Sequence, residues 1–348
     1  MIRAALRSAA AAGLLLHAGR PPLAGQSLRA DLSIGPEWLR FESRDVRHST
    51  FGGRASAGLA WTTSAGSAAA IALEPRVGFR ALGGAGTRIT ELVGDVRATL
   101  SATSARTRWW LSAEQRVRAV SDSVPAPVYL DPDRRETWGR GGIAIPVAGQ
   151  WLLESTVGAG LVRYGPATWQ QLDRTELLGT ARLSHALGPG LVRVGVGAGN
   201  ANFTGDPFAA RDDGRWGVTA EWALRGPPFV QLEVGAAWNS SSIETFDYRA
   251  LRAAVLFSTS LGRSSLQLYS ALAAKSYRDT GDTLALVDQE TGSFVIAQAT
   301  RPIARGTTLH LRAEWVRSES SIRSRLFQRL GASASVGYRW PGRRNLTP

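Results

Sequence analysis

The chain contains no cysteine, a single methionine and a single lysine, Lys275, among its 348 residues. Without thiols it has no disulfide, no lipid-anchoring cysteine and no thiolate metal site. It also has no run of the roughly 18 apolar residues that a membrane-spanning helix requires, which excludes helical membrane insertion. A membrane protein built from strands remains possible, because such strands alternate apolar with polar residues and keep the average hydropathy low.

The charge of the chain is strongly positive and almost entirely guanidinium. The formal net charge is +13, and all of the 41 bases except Lys275 are arginines. A nucleic-acid-binding domain gathers its bases on one segment or one face. Here the arginines are spread along the whole sequence, so the charge does not indicate a nucleic-acid partner.

Residues 1–25 have the order of features of a secretory signal peptide. Arg3 and Arg7 form a positive segment, Ala9 to Leu16 an apolar segment, and Leu23 to Gly25 a small-residue cleavage zone. A short amphipathic helix is the alternative, but such helices seldom have these segments in this order. The sequence therefore predicts export through a cleaved N-terminal signal, which also argues against a nucleic-acid partner.

From Leu28 to Trp340, segments of about ten residues alternate apolar with small or polar side chains at period two. In the segment Val192 to Gly197, for example, valines alternate with arginine and glycine. No linker divides the chain, so we expect one domain over residues 26–340 and a short tail over 341–348. Sixteen such segments can be recognised, and fourteen is the alternative because the first and the fourteenth are weak.

Short turns alternate with longer polar connections between these segments. Pro146 to Gln150 and Gly226 to Pro228 are short, whereas Ala119 to Glu136 and Ser276 to Glu290 are long. Bacterial membrane barrels have short periplasmic turns and long outer loops. The predicted fold is therefore an all-β, transmembrane, antiparallel up-and-down β-barrel with both termini in the periplasm.

The tryptophans give an independent indication of two membrane interfaces, because indole settles at the level of the lipid headgroups. In the predicted orientation, five fall near the periplasmic rim: Trp61, Trp109, Trp151, Trp222 and Trp340. Three fall near the outer rim: Trp216, Trp238 and Trp315. Four others do not fit this scheme: Trp38, Trp110, Trp138 and Trp169.

A soluble β-sandwich or propeller would expose its charges and bury its apolar residues in a core. Here the apolar residues that define the outward faces include no charged residue, whereas the opposite faces carry many; the facing of the fourteenth segment is not assigned. On this pattern residues 27–340 resemble the outer-membrane β-barrels of Gram-negative bacteria, as a class. The resemblance implies contact with outer-membrane lipid and a final strand, Leu330 to Trp340, that the barrel assembly machinery recognises. The tail from Pro341 to Pro348 departs from that class, whose members usually end at the aromatic residue.

The sequence offers no catalytic, cofactor-binding or metal-binding residue that its pattern supports. A hydrolase would require a serine beside a histidine, and His310 with Ser333 or Ser335 is the pairing to consider. Aspartates of the outer loops, such as Asp131 and Asp133, suit turns as well as calcium, and they lack the EF-hand spacing. Glycines from Gly195 to Gly199 lie within a strand and not in a phosphate-binding loop.

The leading hypothesis is a porin-like passive pore for small solutes, because sixteen strands enclose an aqueous lumen unless loops fill it. The alternatives are a closed structural or interaction barrel that presents its outer loops to a partner, and a barrel-embedded hydrolase. Strand parity predicts the pore-lining residues: Arg97, Arg108, Arg116, Arg118, Arg140, Arg182, Arg193, Arg252, Arg312, Glu114, Glu221 and Glu233.

We also expect the pore to prefer anions, because sixteen bases face nine acids across the predicted lumen. The bases are the nine above together with Arg29, Arg54, Arg76, Arg80, Arg225, Lys275 and Arg339. The acids are the three above together with Asp31, Glu74, Asp95, Glu154, Glu176 and Glu314. Rings of arginine or lysine favour anions in a pore. The alternative is that these arginines pair with cross-strand acids and serve only to hold the barrel open.

The third outer loop, Ala119 to Glu136, complicates this expectation. In the sixteen-stranded porins that this arrangement resembles, the third loop folds inward as a constriction. The resemblance implies that the loop brings acids and bases into the lumen together: Asp122, Asp131, Asp133, Glu136, Arg134 and Arg135. The acids would reduce the anion preference.

The predicted orientation can be tested with protease-cleavable tags. A tag inserted at Ser123, in a long connection, should be cut from outside intact cells, whereas one at Gly149, in a short turn, should be protected. Cleavage at both sites, or only at Gly149, would show that the orientation is wrong.

Overall fold

The computed structural model describes residues 27–43, 47–65, 68–84, 87–104, 106–122, 133–165, 167–204, 211–278, 292–318 and 327–340. The predicted signal peptide, the tail and residues 123–132 of the third outer loop lie outside these ranges.

The described chain is almost entirely β-strand. The strands are β1 (Ser27–Ser43), β2 (Arg47–Ala65), β3 (Ala69–Gly84), β4 (Thr87–Ser104), β5 (Thr107–Asp122), β6 (Arg134–Pro146), β7 (Trp151–Tyr164), β8 (Arg174–Leu187), β9 (Gly190–Phe203), β10 (Arg211–Leu224), β11 (Phe229–Ser241), β12 (Tyr248–Leu261), β13 (Ser264–Tyr277), β14 (Ser293–Ala304), β15 (Thr307–Ser318) and β16 (Phe327–Trp340). Two 3₁₀ turns, Ala167–Leu172 and Glu244–Phe246, lie in connections. No helix among the described residues is long and apolar enough to cross a membrane.

Each strand pairs antiparallel with its sequence neighbours, and β1 pairs with β16 to close the barrel. The prediction of a sixteen-strand up-and-down barrel is confirmed, and the alternative of fourteen strands is wrong. The alternation of the fourteenth segment is weak because its inward-facing residues Phe294 and Ile296 are apolar, like its outward-facing ones. Closure leaves no sheet edge, so the ladder satisfies backbone groups all the way round.

The connections at one end of the barrel are all short, whereas six of the eight at the other end are longer and two, residues 44–46 and 85–86, are equally short. Residues 262–263 join β12 to β13, whereas 278–292 join β13 to β14. Two of the short turns place Gly188 and Gly262 at φ values of 54° and 61°, which favour glycine. We call the short-turn end the inner end and the other the outer end, which the turn pattern predicts to be extracellular.

Pleating sends alternate residues of each strand to opposite faces of the wall. Large apolar side chains are exposed on the outside, among them Val234, which is 57% exposed on β11. Several carboxylates are buried on the inside, among them Glu114 and Asp213. In a soluble protein, apolar side chains are buried and charged ones are exposed. Here large apolar side chains are exposed on the outside and carboxylates are buried on the inside.

The exterior can be tested with Val234→Arg. An arginine at the midplane of a membrane barrel costs roughly 2 to 4 kcal/mol, so we expect less folded, heat-modifiable protein in the membrane. Gln231→Arg is the matched control, because Gln231 lies on the same strand with its side chain on the opposite face. Equal amounts of folded protein from both variants would show that Val234 does not face lipid.

Candidate functional site: the charged interior

Three arginines from three adjacent strands converge on Glu114 of β5. Its Oε2 atom is 3.1 Å from Nη2 of Arg97 on β4 and 3.3 Å from Nη1 of Arg140 on β6. Its Oε1 atom is 2.9 Å from Nη2 of Arg116, two residues along the same strand. The Glu114 side chain is only 7% exposed, whereas the arginines are about half exposed at 46%, 40% and 52%, respectively. The carboxylate is thus covered by a layer of guanidinium groups that faces the lumen.

A second set of ion pairs runs around the wall towards the outer end. Arg80 of β3 donates from Nε to Glu37 of β1 at 3.0 Å and from Nη1 to Glu91 of β4 at 2.9 Å. Glu91 also pairs with Nε of Arg118 on β5 at 2.8 Å. Four strands are therefore linked by one chain of alternating charges.

The same pattern continues on β15 and β16, next to the closing seam of the barrel. Glu314 of β15 lies 2.9 Å from Arg312 on its own strand and 3.3 Å from Arg329 on β16. We call this continuous interior surface the charged wall, defined by its ion-paired members: Glu37, Arg80, Glu91, Arg97, Glu114, Arg116, Arg118, Arg140, Arg312, Glu314 and Arg329.

Other interior arginines have no ion pair. Within the described part of the chain, no carboxylate oxygen lies within 4.0 Å of six of them: Arg29, Arg54, Arg76, Arg108, Arg182 and Arg339. Arg54 is directly opposite Arg80 in the β2–β3 ladder, and Arg76 is opposite Asp95 in the β3–β4 ladder. Four interior carboxylates of the described strands also lack an ion pair: Asp31, Glu74, Asp95 and Glu154. The unpaired groups therefore leave a small positive excess.

Glycine replaces charge over much of the interior face between β7 and β11. The glycines at these positions are Gly158, Gly160, Gly195, Gly197, Gly199, Gly217 and Gly235. Two of them accommodate large neighbours, because a Cβ atom would lie 2.6 Å from Trp138 at Gly160 and 2.5 Å from Leu178 at Gly199. The glycines themselves add no side-chain volume to the interior, and neighbouring side chains such as Trp138 and Leu178 lie over two of them.

The outer end of this glycine-lined part is held by a packed cluster. Arg211 of β10 lies between two aromatic rings, with its guanidinium carbon 4.1 Å from the centroid of Phe203 and 3.6 Å from that of Phe246. Its Nε donates to Asp213 at 2.9 Å, and Asp213 is fully buried. Cation–π contacts and a buried ion pair thus tie the connections of β9–β10 and β11–β12 together.

The predicted pore-lining residues all lie on the face that carries the buried carboxylates, although their role as a pore lining stays a prediction. Arg97, Arg116, Arg140 and Glu114 come together, as described above. Elsewhere Arg193 pairs with Glu221 at 2.6 Å. Residues Arg252 and Glu233 are 3.7 Å apart, and Arg252 also donates to the Tyr269 hydroxyl at 2.7 Å. Arg108 and Arg182 make no ion pair among the described residues.

Sequence reasoning missed several charged interior residues, for reasons that the structure makes clear. Glu37 follows Gly35 and Pro36, which interrupt the apolar alternation of β1. Glu91 of β4, and Arg211 and Asp213 of β10, lie near the outer ends of their strands, beyond the apolar segments. The strands extend beyond their apolar segments. Extending the alternation of inward and outward residues along each strand would have identified these residues.

The prediction for the third outer loop needs a similar correction. Arg134, Arg135 and Glu136 lie in β6 and not in a loop, because antiparallel pairing with β7 begins at Arg134. Arg134 and Glu136 form an ion pair of 2.7 Å on the inner face, whereas Arg135 is on the outer face. Asp133 accepts a hydrogen bond from the backbone N–H of Val120. Asp131 lies outside the described residues, and Asp122 lies at the end of β5.

The tryptophans predicted to form girdles are on the outer face of the barrel. Those with the most exposed side chains are Trp109, Trp151, Trp216, Trp222 and Trp340. Trp216 and Trp238 stack with their ring centroids 4.0 Å apart, on β10 and β11. Their contact with the headgroup level stays a prediction, as it does for Trp61 and Trp315. Two tryptophans outside the scheme, Trp110 and Trp138, face inward over Gly142 and Gly160.

The structure brings His310 next to a threonine and not to a serine nucleophile. Nδ1 of His310 lies 3.3 Å from Oγ1 of Thr300. Ser335 is opposite His310 in the β15–β16 ladder, but no hydrogen bond joins His310 to Ser333 or Ser335 in the described structure. Among the described residues no group of three or more histidine or carboxylate side chains is arranged to hold a metal ion.

No family model and no curated protein sequence matches the chain. Solved structures similar to it include an anion-selective porin from Comamonas acidovorans, at 11% identity over 91% of this chain and 99% of that one, with a TM-score of 0.49. The OccK11 channel of Pseudomonas aeruginosa is 9% identical over 90% of this chain and 96% of that one, with a TM-score of 0.48. A mutant TodX monoaromatic hydrocarbon channel is 10% identical over 92% and 91%, with a TM-score of 0.47. These likenesses concern the barrel fold.

Glu114 is expected to hold the charged wall together, and Glu114→Gln tests this. The substitution removes the charge that three arginines share, so we expect a loss of roughly 1 to 3 kcal/mol in stability, seen as a lower temperature at which the folded band disappears in heat-modifiability gels. Glu154→Gln is the control, since Glu154 makes no ion pair in the described part of the chain. Equal stability of the two variants would contradict this role.

Proposed function

We propose that the chain forms an outer-membrane pore that passes small solutes passively and prefers anions. The observation that carries the proposal is the excess of interior arginines over carboxylates: among the described residues, six interior arginines but four interior carboxylates have no ion pair. The interior face also carries glycines and some large apolar side chains, among them Trp110, Trp138, Phe294 and Ile296.

The barrel itself supports a place in a membrane. A closed antiparallel sheet leaves no unpaired edge, which is the condition for crossing lipid with strands. Its exterior carries exposed leucine, valine and tryptophan side chains that would be costly to leave in water. The predicted signal peptide and the direction of the turns support the bacterial outer membrane.

Anion preference follows from where the uncompensated charge lies. Salt-bridged arginines such as Arg116 and Arg118 are partly neutralised by Glu114 and Glu91. Arg54 and Arg76 are close to this wall but have no salt bridge, so their charge acts on passing ions. A low-dielectric wall focuses that field into the lumen and raises the local concentration of anions.

The second candidate function is a closed barrel that presents its outer end to a partner. The packed cluster of Arg211, Phe203 and Phe246 favours it, because an ordered outer rim is suited to recognition. A hydrolase has less support, since His310 contacts Thr300 and lacks a serine partner in the described structure. Planar-bilayer conductance separates a pore from a closed barrel, and a serine-directed probe tests for a hydrolase.

Reversal potentials under a salt gradient test the anion preference. We expect wild-type channels to prefer chloride over potassium, and Arg54→Gln/Arg76→Gln to lower the permeability ratio by about twofold or more, because rings of positive charge set the selectivity. Arg116→Gln/Arg118→Gln should also lower the ratio. This second pair exposes Glu114 and Glu91, so its effect on the barrel's stability should be larger.

The control is Gln267→Asn, a neutral interior substitution on β13, which should leave the ratio unchanged. Cation preference in the wild type would overturn the proposed selectivity. Absence of conductance from correctly folded protein would favour the closed barrel.

A further inference from the structure

Outward-facing arginines form a belt at the outer end of the barrel. On seven strands, an arginine lies at or near the outer end of the outward face: Arg40 on β1, Arg47 on β2, Arg88 on β4, Arg135 on β6, Arg163 on β7, Arg249 on β12 and Arg317 on β15. Two of them, Arg40 and Arg47, pair with Glu42 on the same face. On β7, for example, Val157 and Leu161 share the face of Arg163. The arginines recur at the same end of strands around the barrel and therefore reflect its surroundings.

The inner end of the barrel has fewer outward-facing arginines on its strands. In the described strands, the outward series carries a single arginine towards the inner end, Arg301 on β14. The height of the belt is marked by the outer tryptophans: Arg317 follows Trp315 by two positions, and Arg249 is directly opposite Trp238. The belt thus lies at the level that tryptophan takes at a membrane interface. On the strands, outward-facing arginines are concentrated at the outer end, where they exceed the outward carboxylates Glu42 and Asp212. Further arginines of the inner end lie in turns: Arg106, Arg263 and Arg305.

One point of the belt has the geometry of a binding site. Arg135 and Arg163 are directly opposite each other on β6 and β7, with their side chains on the outer face. Like charges at directly opposed positions destabilise a sheet unless something neutralises them. Arg135 has no carboxylate within 4.0 Å in the described structure.

The surroundings of Arg163 leave room for an anionic partner. Its Nη1 donates to Oγ1 of Thr204 at 3.2 Å and to the carbonyl of Val162 at 3.3 Å. The nearest carboxylate oxygen, Oδ2 of Asp173, is 3.7 Å from Nε, and the other oxygen of Asp173 accepts from the backbone N–H of Tyr164 at 2.7 Å. Asp173 is therefore shared between Arg163 and the backbone of Tyr164 and does not pair with Arg135, so the two arginines keep a net positive charge.

We propose that Arg135 and Arg163 bind a phosphate group of a lipid in the outer leaflet, of the lipid A type. A guanidinium donates two parallel hydrogen bonds to phosphate oxygens, so two facing arginines can hold one phosphate from both sides. The acyl chains would then lie along the apolar exterior below, over Leu161 and Val157. This inference rests on the proposed outer-membrane location and orientation.

The experiment uses the full mature chain, purified in detergent, with native mass spectrometry to measure bound lipid. The probes are bis-phosphorylated lipid A, the same lipid after dephosphorylation, and inorganic phosphate. We expect lipid A to bind, dephosphorylated lipid to bind at least about tenfold more weakly, and millimolar phosphate to compete poorly, because it has no acyl chains to bury.

Arg135→Gln/Arg163→Gln should reduce lipid A binding about tenfold, and Arg301→Gln at the inner end should leave it unchanged. Unchanged binding by the double variant, or an equal loss in Arg301→Gln, would overturn the site. Equal binding of the dephosphorylated lipid would show that acyl chains alone are bound. Full competition by inorganic phosphate would identify a free-phosphate site instead.

Two further measurements keep the result interpretable. If the double variant fails to fold, the single variant Arg135→Gln replaces it, because Arg135 contributes no ion pair to the described structure. Conductance in planar bilayers should be the same for the wild type and the double variant, since both arginines face away from the lumen. A barrel that binds lipid A without conducting would contradict the proposed pore and leave the lipid site standing.

Discussion

The hydrogen-bond ladder closes on itself, and every other feature of this molecule depends on that closure. A strand in lipid has no water to satisfy its peptide groups, so each N–H and C=O must find a partner in a neighbouring strand. Pairing of β1 with β16 removes the last edge. Once the sheet is closed, its pleat assigns every side chain to one of two environments. The same wall can then be apolar towards lipid and charged towards the lumen.

Closure of the barrel brings charged side chains of the interior close to one another. Arginines on neighbouring strands lie side by side, as Arg54 and Arg80 do, and their repulsion would weaken the sheet if nothing intervened. Buried carboxylates supply the compensation. Each of Glu37, Glu91 and Glu114 is more buried than the arginines around it. The acids therefore lie against the wall and the bases project from it, so the surface seen by a passing ion is more positive than the composition alone suggests.

Much of this arrangement could be predicted from the sequence, because period two determines the face of a side chain before any partner is known. The sixteen strands and the inward position of Arg97, Glu114 and Arg116 follow from it. The ion pairs do not. Which arginines reach Glu114 depends on the register between strands, and register is set by closure of the whole barrel. At Gly35 and Pro36 the ladder between β1 and β16 skips two residues, and proline lacks an N–H, but the register is the same on both sides and parity holds through to Glu37.

The contacts that the arginine side chains make explain the near absence of lysine. A single carboxylate, Glu114, receives three cations, and a planar guanidinium can approach each oxygen edge-on and leave room for the next. Arg211 lies between two aromatic rings, where a flat, weakly hydrated cation packs better than an ammonium. On the outer rim the same planarity suits two-point contact with phosphate. The pleat determines whether an arginine side chain contacts a carboxylate, an aromatic ring, water or lipid. The planar guanidinium is suited to all four.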